Sequence, residues 1–331
     1  MSGILAQGAR FHLLGMPRNY ALTKYLICSP LVQKQATENT RGVGNKNWVM
    51  RDIANTLIVI PPLSEQKRIV EKIHTMQPFI NRYDIVYKKI DYLNTSFPDN
   101  LKKSILQWAV QGKLVPQDPS DEPAEVLLER IRDEKQQLIK EGKIKKDKHE
   151  SVIFRRDNSH YEKLDGAERC IDDELPFEIP ESWCWCKIRN IFTLQAGKNI
   201  QAAEIHENPF PGSYPCYGGN GIRGYVTKSN RSGDYPIIGR QGALCGNINR
   251  GTGEFYATEH AVCVETYADV NVVWACLFLT ALNLNQYATA TAQPGLAVTN
   301  INEIFMPLPP LNEQHRIVQQ IEELRPLVNS L

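Results

Sequence analysis

"PPLSEQKRIV" (61–70) and "PPLNEQHRIV" (309–318) are two copies of one phrase, 248 positions apart. Between residues 61–81 and 309–329, 11 of 21 positions are identical. Each copy has the features of a helix start: two prolines hold the chain extended, Ser64 or Asn312 can accept a hydrogen bond from a free N–H group, and a glutamate follows. The phrase therefore predicts that the chain twice passes from an extended segment into a helix.

Composition indicates an ordinary globular protein. The 331 residues are 42% hydrophobic, which is enough for two or three domains. The first residues lack the apolar run of a signal peptide, and no stretch approaches the roughly 20 apolar residues of a membrane span, so we expect a cytoplasmic protein. The eight cysteines include no C-x-x-C pair, which favours free thiols. No metal site and no cofactor are predicted.

Charge is distributed unevenly along the chain, although the formal net charge is only +1. Residues 1–60 carry 7 Lys and Arg against 2 Asp and Glu, whereas residues 183–308 carry 8 of each. Binding of a polyanion depends on cations that displace its counterions. A nucleic-acid partner would therefore have to be held by the basic N-terminal piece, by local clusters of cations or by a partner subunit.

The phrase at residue 61 leads into a helical block that we expect over 61–150. Its apolar residues follow a heptad spacing, which is typical of a coiled-coil surface. Pro78 lies inside this pattern and is expected to kink or split the helix. A second apolar stripe, 101–112, is predicted to end at Gly112, and a charged amphipathic helix follows "PQDPSDEP". The predicted seam consists of Ile69, Ile73, Met76, Ile80, Tyr83, Tyr87 and Ile90.

Residues 183–308 have a different sequence pattern, in which short runs of alternating apolar and polar residues are separated by glycines. "WCWCKI", "YPCYGGNGIRGYV" and "HAVCVET" are typical of strands and strand–loop–strand units, and one helix is expected around "VVWACLFLTALNLNQYA". Residues 1–60 contain the matching end of such a domain, "IANTLIVIPPL" against "INEIFMPLPPL", without its beginning. The predicted fold class is α+β: a mainly β domain with glycine-rich loops and long helices that form coiled coils.

The sequence shows none of the catalytic motifs that we sought. A phosphate-binding loop, a G-x-S-x-G nucleophile elbow and an H-E-x-x-H zinc motif are all absent from the sequence. His260 follows Glu259, but neighbouring residues of a strand point to opposite faces, so a structural histidine is favoured over a catalytic one. The sequence therefore favours a non-catalytic protein.

The glycine-rich loops of 183–308 indicate a different chemistry. They combine glycines, which allow close approach, with Arg, Asn and Gln, whose side chains pair bidentately with guanine and adenine. The alternative interpretation is that these loops are only tight turns of a β domain. The candidate DNA-contacting residues are Lys198, Asn220, Arg223, Arg240, Gln241 and Gln293.

Taken together, these features resemble the DNA-specificity subunit of type I restriction-modification systems. The resemblance covers nearly the whole chain. It rests on "LIVIPPLSEQKRIVEKI", "IFMPLPPLNEQHRIVQQI", "SILQWAVQGKLVPQDPSDEPAEVLLERI", "IPESWCWCKIRNI" and "TAQPGLAVTNI".

The resemblance implies two target recognition domains that read the halves of an interrupted site in double-stranded DNA, spaced by two helices that pair as an antiparallel coiled coil. It implies that methyltransferase subunits dock on the helices and methylate adenines, that restriction subunits can join, and that the specificity subunit catalyses nothing. The implied domains are 1–60, the end of a first recognition domain; 61–150, the helical spacer; 151–182, a linker; 183–308, the second recognition domain; and 309–331, the start of a second spacer helix.

The chain departs from the family pattern because it holds only the end of the first recognition domain and a short second helix. Three hypotheses follow: pairing with a second copy through the exposed seam, completion by another specificity chain, or a silent copy of the gene. Two further classes stay open, a coiled-coil adaptor without a DNA role and an enzyme such as a nuclease or methyltransferase fused to its reader.

Overall fold

The computed structural model describes residues 20–40, 47–147, 151–289 and 294–329. The chain divides into two units, 1–95 and 96–331. The mixture of helices and sheets confirms the predicted α+β class. The helices are α1 (Tyr20–Ile27), α2 (Pro30–Glu38), α3 (Met50–Ala54), α4 (Leu63–Val110), α5 (Ala124–Lys140), α6 (Ile188–Ile191), α7 (Val272–Ala281), α8 (Val298–Asn302) and α9 (Leu311–Asn329). The strands are β1 (Ser151–Arg156), β2 (Ser159–Leu164), β3 (Ala167–Cys170), β4 (Cys184–Lys187), β5 (Thr193–Ala196), β6 (Tyr214–Gly218), β7 (Gly221–Val226), β8 (Arg231–Gly239), β9 (Ile248–Ala257), β10 (Ala261–Glu265) and β11 (Phe305–Leu308).

The two copies of the repeated phrase both start helices, as predicted, but a different side chain makes the hydrogen bond at the helix start. α4 begins at Leu63 and α9 at Leu311, so Ser64 and Asn312 already lie inside the first turn, and the prediction that they cap the helices is wrong. Instead, the side-chain amide of a buried glutamine folds back on the first proline of each copy. Gln66 Nε2 donates to the Pro61 carbonyl at 2.9 Å, and Gln314 Nε2 donates to the Pro309 carbonyl at 3.2 Å.

Helix α4 is continuous from Leu63 to Val110, so the expected split at Pro78 does not occur. A proline inside a helix removes one backbone hydrogen bond and crowds the preceding turn, at a cost of about 3 kcal/mol. The many remaining backbone bonds of a 48-residue helix keep it continuous. The predicted end at Gly112 is confirmed: Gly112 has φ +68°, and Lys113 N donates to the Trp108 carbonyl at 2.9 Å, closing the last turn.

A six-stranded sheet organises the second unit, in the order β5-β10-β8-β9-β6-β7. All of its neighbouring strands are antiparallel except β6 and β9, which are parallel. Helix α7 packs on β8 and β9. Asn271 caps α7, because its side-chain oxygen accepts hydrogen bonds from Val273 N and Trp274 N. The strands and the helix that the sequence predicts in 183–308 are therefore confirmed.

The strands at the beginning and the end of 183–308 pair with each other. β11 runs antiparallel to β4, with Met306 opposite Cys186 and Leu308 opposite Cys184. The residues around this pair belong to the main hydrophobic core, which also contains Trp274. The segment 151–182 contains a separate three-stranded sheet, β1-β2-β3.

Candidate nucleic-acid interface

Four glycine-containing loops and the turn after β9 converge around Arg240. Lys198 N donates to the Ala257 carbonyl at 3.0 Å, which joins the loop after β5 to the end of β9. Arg240 N donates to the His260 carbonyl at 2.9 Å, and Gly242 N donates to the Pro294 carbonyl at 3.0 Å. The sheet therefore brings together segments that are up to about a hundred residues apart in the sequence. We call this set of segments, 197–198, 218–223, 239–242, 258–260 and 294–295, the loop cluster.

Glycine is required where the backbones of these loops touch. A Cβ atom built on Gly239 lies 1.8 Å from the Gly219 carbonyl oxygen, and one built on Gly197 lies 2.1 Å from the Ala257 carbonyl oxygen. A Cβ on Gly219 lies 2.7 Å from the carbonyl oxygen of Gln241. A methyl group does not fit at such distances, so each glycine lets two loops approach more closely than any side chain permits.

The loop that carries Arg240 and Gln241 is held on both sides. Besides its amide bond to His260, Arg240 accepts a hydrogen bond at its carbonyl from Leu296 N at 2.8 Å. Gln241 forms a β-bridge with Gly295. The backbone therefore fixes where both side chains leave the surface, and Gln241 is exposed there while Arg240 is half-buried.

The cations of the domain fall into two groups. Five of the eight Lys and Arg residues in 183–308 form ion pairs, namely Lys187, Arg189, Lys228, Arg231 and Arg250. The remaining three are Lys198, Arg223 and Arg240, which have no ion pair among the described residues. All three were predicted to contact DNA.

Arg250 illustrates the difference between the two groups. Its Nε and Nη2 atoms donate to the two carboxylate oxygens of Asp234 at 2.7 and 2.6 Å. These hydrogen bonds raise the pKa of the guanidinium above its ordinary value. A paired cation of this kind has its charge neutralised, whereas an unpaired one at the loop cluster is available to a phosphate or a base.

Several buried polar atoms of the loop cluster and its neighbour Asn249 have no hydrogen-bond partner in the described part of the chain. A buried donor or acceptor without a partner costs roughly 1–3 kcal/mol, and such atoms are rare in folded proteins. Their concentration here is typical of a surface that completes its hydrogen bonds with a ligand. They are Arg240 Nε, Asn249 Nδ2, Thr258 Oγ1, Glu259 Oε2 and His260 Nδ1.

Asn220 lies at the tip between β6 and β7, where its side-chain oxygen accepts a hydrogen bond from Asn247 Nδ2 at 3.0 Å. Arg223 is exposed on β7. Two exposed apolar residues, Ile222 and Leu244, flank these polar groups, and sequence reasoning missed both. Their signal was an apolar residue inside a glycine-rich loop. Gln293, also predicted to contact DNA, lies outside the described residues.

The expectation that Glu259 and His260 point to opposite faces of a strand is wrong. β9 ends at Ala257 and β10 begins at Ala261, so both residues lie in the turn between the strands. His260 Nε2 and Glu259 Oε1 are 3.2 Å apart. The strand periodicity does not apply to a turn, and the two side chains form a local pair at the edge of the loop cluster.

Helix α4 carries the second candidate surface, the predicted seam. Met76, Ile80, Tyr83, Tyr87 and Ile90 are exposed, and Ile69 and Ile73 are half-buried. A second heptad series shares two of these residues and is also exposed: Phe79, Tyr83, Val86, Ile90 and Leu93. We call the two series together the α4 face. It is wider than the single a/d seam of a two-stranded coiled coil, which favours contact with more than one partner helix.

The described ranges contain no group of three or more His, Cys, Asp or Glu side chains arranged to hold a metal ion. Among the described helices, none is both long enough and apolar enough to cross a membrane. The cysteines of these ranges are free thiols, and burial raises the pKa of Cys263 to about 11.

The sequence matches the family described as "Type I restriction modification DNA specificity domain" over residues 17–95 and 180–328. These two matches cover more than half of the chain, and the chain belongs to this family. Each of the two matched ranges contains one copy of the repeated phrase.

Two relatives from Escherichia coli are similar to parts of the chain. The type I restriction enzyme EcoprrI specificity subunit is 47% identical over 142 residues, which are 43% of this chain and 35% of the relative. The type I restriction enzyme EcoAI specificity subunit is 50% identical over 99 residues, 30% of this chain and 14% of the relative. The chain thus matches about a third or less of the length of these relatives. The crystal structure of the HsdS subunit from Thermoanaerobacter tengcongensis aligns with 94% of this chain and 63% of its own, at 16% identity and a TM-score of 0.45.

Proposed function

We propose that residues 183–308 form a DNA-reading domain and that the chain acts as a specificity subunit of a type I restriction-modification complex. The observation that carries the proposal is the loop cluster. The three cations of the domain that lack an ion pair among the described residues are the three at its glycine-rich loops. Family membership supports the same role, since the family is a DNA specificity domain.

Within the loop cluster we assign two kinds of contact. Arg240 and Gln241 lie on the loop whose backbone is held on both sides, which suits them to bidentate contacts with base edges in the major groove. Lys198 is exposed and its ammonium is a point charge, which suits a phosphate contact that positions the domain without reading sequence. Asn220 and Arg223 extend the contact along β7. Ile222 and Leu244 suit the methyl group of thymine.

The partners follow from the family and from the α4 face. We propose that methyltransferase subunits bind the helices and methylate adenines, that a restriction subunit can join the complex, and that this chain supplies recognition without catalysis. An exposed apolar face of this size is an association surface. A second copy of the chain, or another specificity chain, is the proposed helix partner on the α4 face.

The proposal is tested by selecting duplexes with a randomised segment on the chain assembled with its methyltransferase subunit. A reproducible sequence motif is expected. Arg240→Ala should relax or change one position of the motif and weaken its binding about 5- to 150-fold, because a bidentate arginine–guanine contact contributes roughly 1–3 kcal/mol of discrimination. Arg250→Ala is the matched control, since this arginine is bound to Asp234, and it should leave the motif unchanged.

A second candidate function, a coiled-coil adaptor without a DNA role, is favoured by the α4 face alone. The same selection separates the two. An adaptor enriches no motif while it still binds the methyltransferase subunit, and Arg240→Ala then has no effect. The product of a silent gene copy binds neither the methyltransferase subunit nor the DNA.

A further inference from the structure

Two adjoining cavities lie between α5, the segment 143–147 that follows it, and the elements α6, β5 and α8. Their volumes are about 420 Å³ and about 750 Å³. Small-molecule sites typically have volumes of about 300–1,000 Å³. Both cavities belong to the second unit, and we call them together the basic pocket. The residues that line both cavities are Lys135, Ile139, Lys146, Asp147 and Arg189.

The lining of the basic pocket carries an excess of positive charge, with seven Lys and Arg side chains and two carboxylates. One carboxylate, Glu303, is already bound by Arg189 at 2.6 Å and by Lys187 at 3.0 Å. The other is Asp147. The lining cations that form no ion pair among the described residues include Arg132, Lys140, Lys145 and Lys146. The carboxylates of the pocket therefore leave most of its positive charge unneutralised.

Arg189 and Lys135 have hydrogen-bond donors that the described residues do not use. Arg189 is 7% exposed, and its Nε atom has no partner in the described part of the chain, although both of its Nη atoms bind Glu303. Lys135 Nζ donates to the carbonyls of Arg189 and Phe192, which occupies two of its three N–H groups. Buried donors without partners are rare in folded proteins, so the free Arg189 Nε indicates that a ligand supplies an acceptor.

The charge of Lys135 has the same implication. Burial lowers the pKa of its ammonium to about 8, and the nearby Asp147 opposes this shift. Because this pKa lies above 7, the half-buried ammonium is still charged at neutral pH. An anion bound beside it stabilises the charged form.

The basic pocket also has an apolar side. Ile139 lines both cavities and does not belong to the main hydrophobic core of the described residues. Ile144 and Leu194 line the larger cavity and are half-buried. Apolar side chains next to clustered cations suit a ligand that has a ring at one end and negative charges at the other.

We propose that the basic pocket binds a nucleotide with two or three phosphates, whose phosphate oxygens accept hydrogen bonds from Lys146, Lys135 and Arg189 Nε while its base or ribose packs on Ile139. The excess of cations favours a ligand with several negative charges. A compact ligand is favoured over the backbone of a DNA duplex, because Arg189 is buried inside a concave site that a wide, stiff duplex does not enter. The proposal does not depend on DNA reading by 183–308.

The test is isothermal titration calorimetry of the full chain, in the absence of DNA, with ATP, ADP, adenosine and inorganic triphosphate. Saturable binding of ATP and ADP is expected, with weaker binding of inorganic triphosphate and still weaker binding of adenosine. No saturable binding of ATP would overturn the proposal. Equal affinities for ATP and inorganic triphosphate would show that the pocket selects only charge, and would overturn the assignment to a nucleotide.

Two variants separate the charged and apolar parts of the pocket. Lys146→Ala should weaken the binding of both ATP and inorganic triphosphate about tenfold, the effect of one hydrogen bond to a charged group. Ile139→Ala should weaken the binding of ATP about threefold, through lost apolar contact, and leave that of inorganic triphosphate unchanged. Far-ultraviolet circular dichroism of each variant checks that the helices are retained.

Lys103→Ala is the matched control. Lys103 is an exposed lysine of α4 that has no ion pair among the described residues and does not line the basic pocket, so this variant should bind ATP like the wild-type chain. Equal losses for Lys103→Ala and Lys146→Ala would reveal general charge attraction and overturn the proposal. A short DNA duplex, added at the same phosphate concentration, should leave ATP bound. Displacement of ATP by the duplex would identify the DNA backbone as the ligand of these cations and also overturn it.

Discussion

Glu162 anchors the three-stranded sheet to strand β4, and its charge makes the stability of the second unit depend on pH. The side chain is fully buried on β2, where Lys187 Nζ of β4 lies 2.5 Å from Oε1. Arg169 Nη2 donates to Oε2 at 2.6 Å, and Ser151 Oγ donates to Oε1 at 2.7 Å. One carboxylate therefore binds three donors, one of which, Lys187, lies on β4.

The size of the effect follows from the pKa. Burial alone raises the pKa of Glu162, but the hydrogen bonds from Lys187, Ser151 and Arg169 outweigh it and lower the pKa from 4.5 to about 2. Each pKa unit is worth about 1.36 kcal/mol, so the ionised carboxylate contributes about 3 kcal/mol to the free energy of unfolding. Because the folded-state pKa is the lower one, this contribution is complete above about pH 5.5 and is lost as the pH falls towards 2.

The assay is urea unfolding, followed by tryptophan fluorescence at a series of pH values, for the wild-type chain and Glu162→Gln. At pH 7 the variant should be about 3 kcal/mol less stable, and the difference should shrink as the pH falls from about 5 to 2. Glu168→Gln is the matched control, because Glu168 is exposed and its contact with Arg156 at 3.2 Å is a surface pair worth at most about 1 kcal/mol. Equal costs for the two variants, or a Glu162→Gln cost that does not change with pH, would refute the reasoning.

The remaining predictions concern the loop cluster and the α4 face. Lys198→Ala should weaken binding to all DNA sequences alike and lower the slope of log affinity against log salt concentration by about 1. Lys228→Ala is the control, because the Lys228 ammonium already pairs with Glu204 at 3.0 Å, and it should change neither the affinity nor the slope. Gly239→Ala should lower the unfolding free energy by about 1–3 kcal/mol, because its methyl group meets the Gly219 carbonyl. Gly218→Ala is the control, because a Cβ atom at this position lies 3.5 Å from its nearest neighbour, and it should leave the melting temperature nearly unchanged. Equal melting temperatures for the two alanine variants would contradict the packing argument. Tyr83→Asp should weaken helix association about ten- to hundredfold in sedimentation velocity, the effect of about 1.5–3 kcal/mol of lost apolar burial. Asn81→Asp adds the same charge on the opposite side of α4, and an equal loss there would show that the α4 face is not the contact.

The repeated phrase was the most informative part of the sequence. Together with the switch from heptad spacing to short alternating runs, it predicted the α+β class, the strands of 183–308 and the helix at α7. Sequence periodicity could do this because each pattern is local. Of the two outcomes expected at Pro78, a kink or a split, the split does not occur, because the cooperative backbone bonds of a long helix outweigh one local defect. Periodicity failed at Glu259 and His260, where strand alternation does not extend into a turn.

Other features depend on contacts between residues far apart in the sequence. Nothing in the sequence near Glu162 indicates that Lys187 will neutralise it. The strands of 151–170 lie in a segment that was predicted to be a linker. The candidate DNA contacts show the reverse case. Lys198, Arg223 and Arg240 were chosen from the sequence because of their residue types and loops. The structure distinguishes them from Arg231 and Arg250, which form ion pairs with carboxylates. Their role in DNA binding stays a prediction.

The measurement that tests the central claim most directly is a map of methylated adenines in cells that express this chain with its methyltransferase subunit and no other specificity subunit. The account predicts methylation at one interrupted motif, altered by Arg240→Ala and unchanged by Arg250→Ala. Symmetric half-sites would identify a second copy of 183–308 as the other reader, and unequal half-sites a different one. No methylation, from a methyltransferase shown to be active with an intact specificity subunit, would contradict the account.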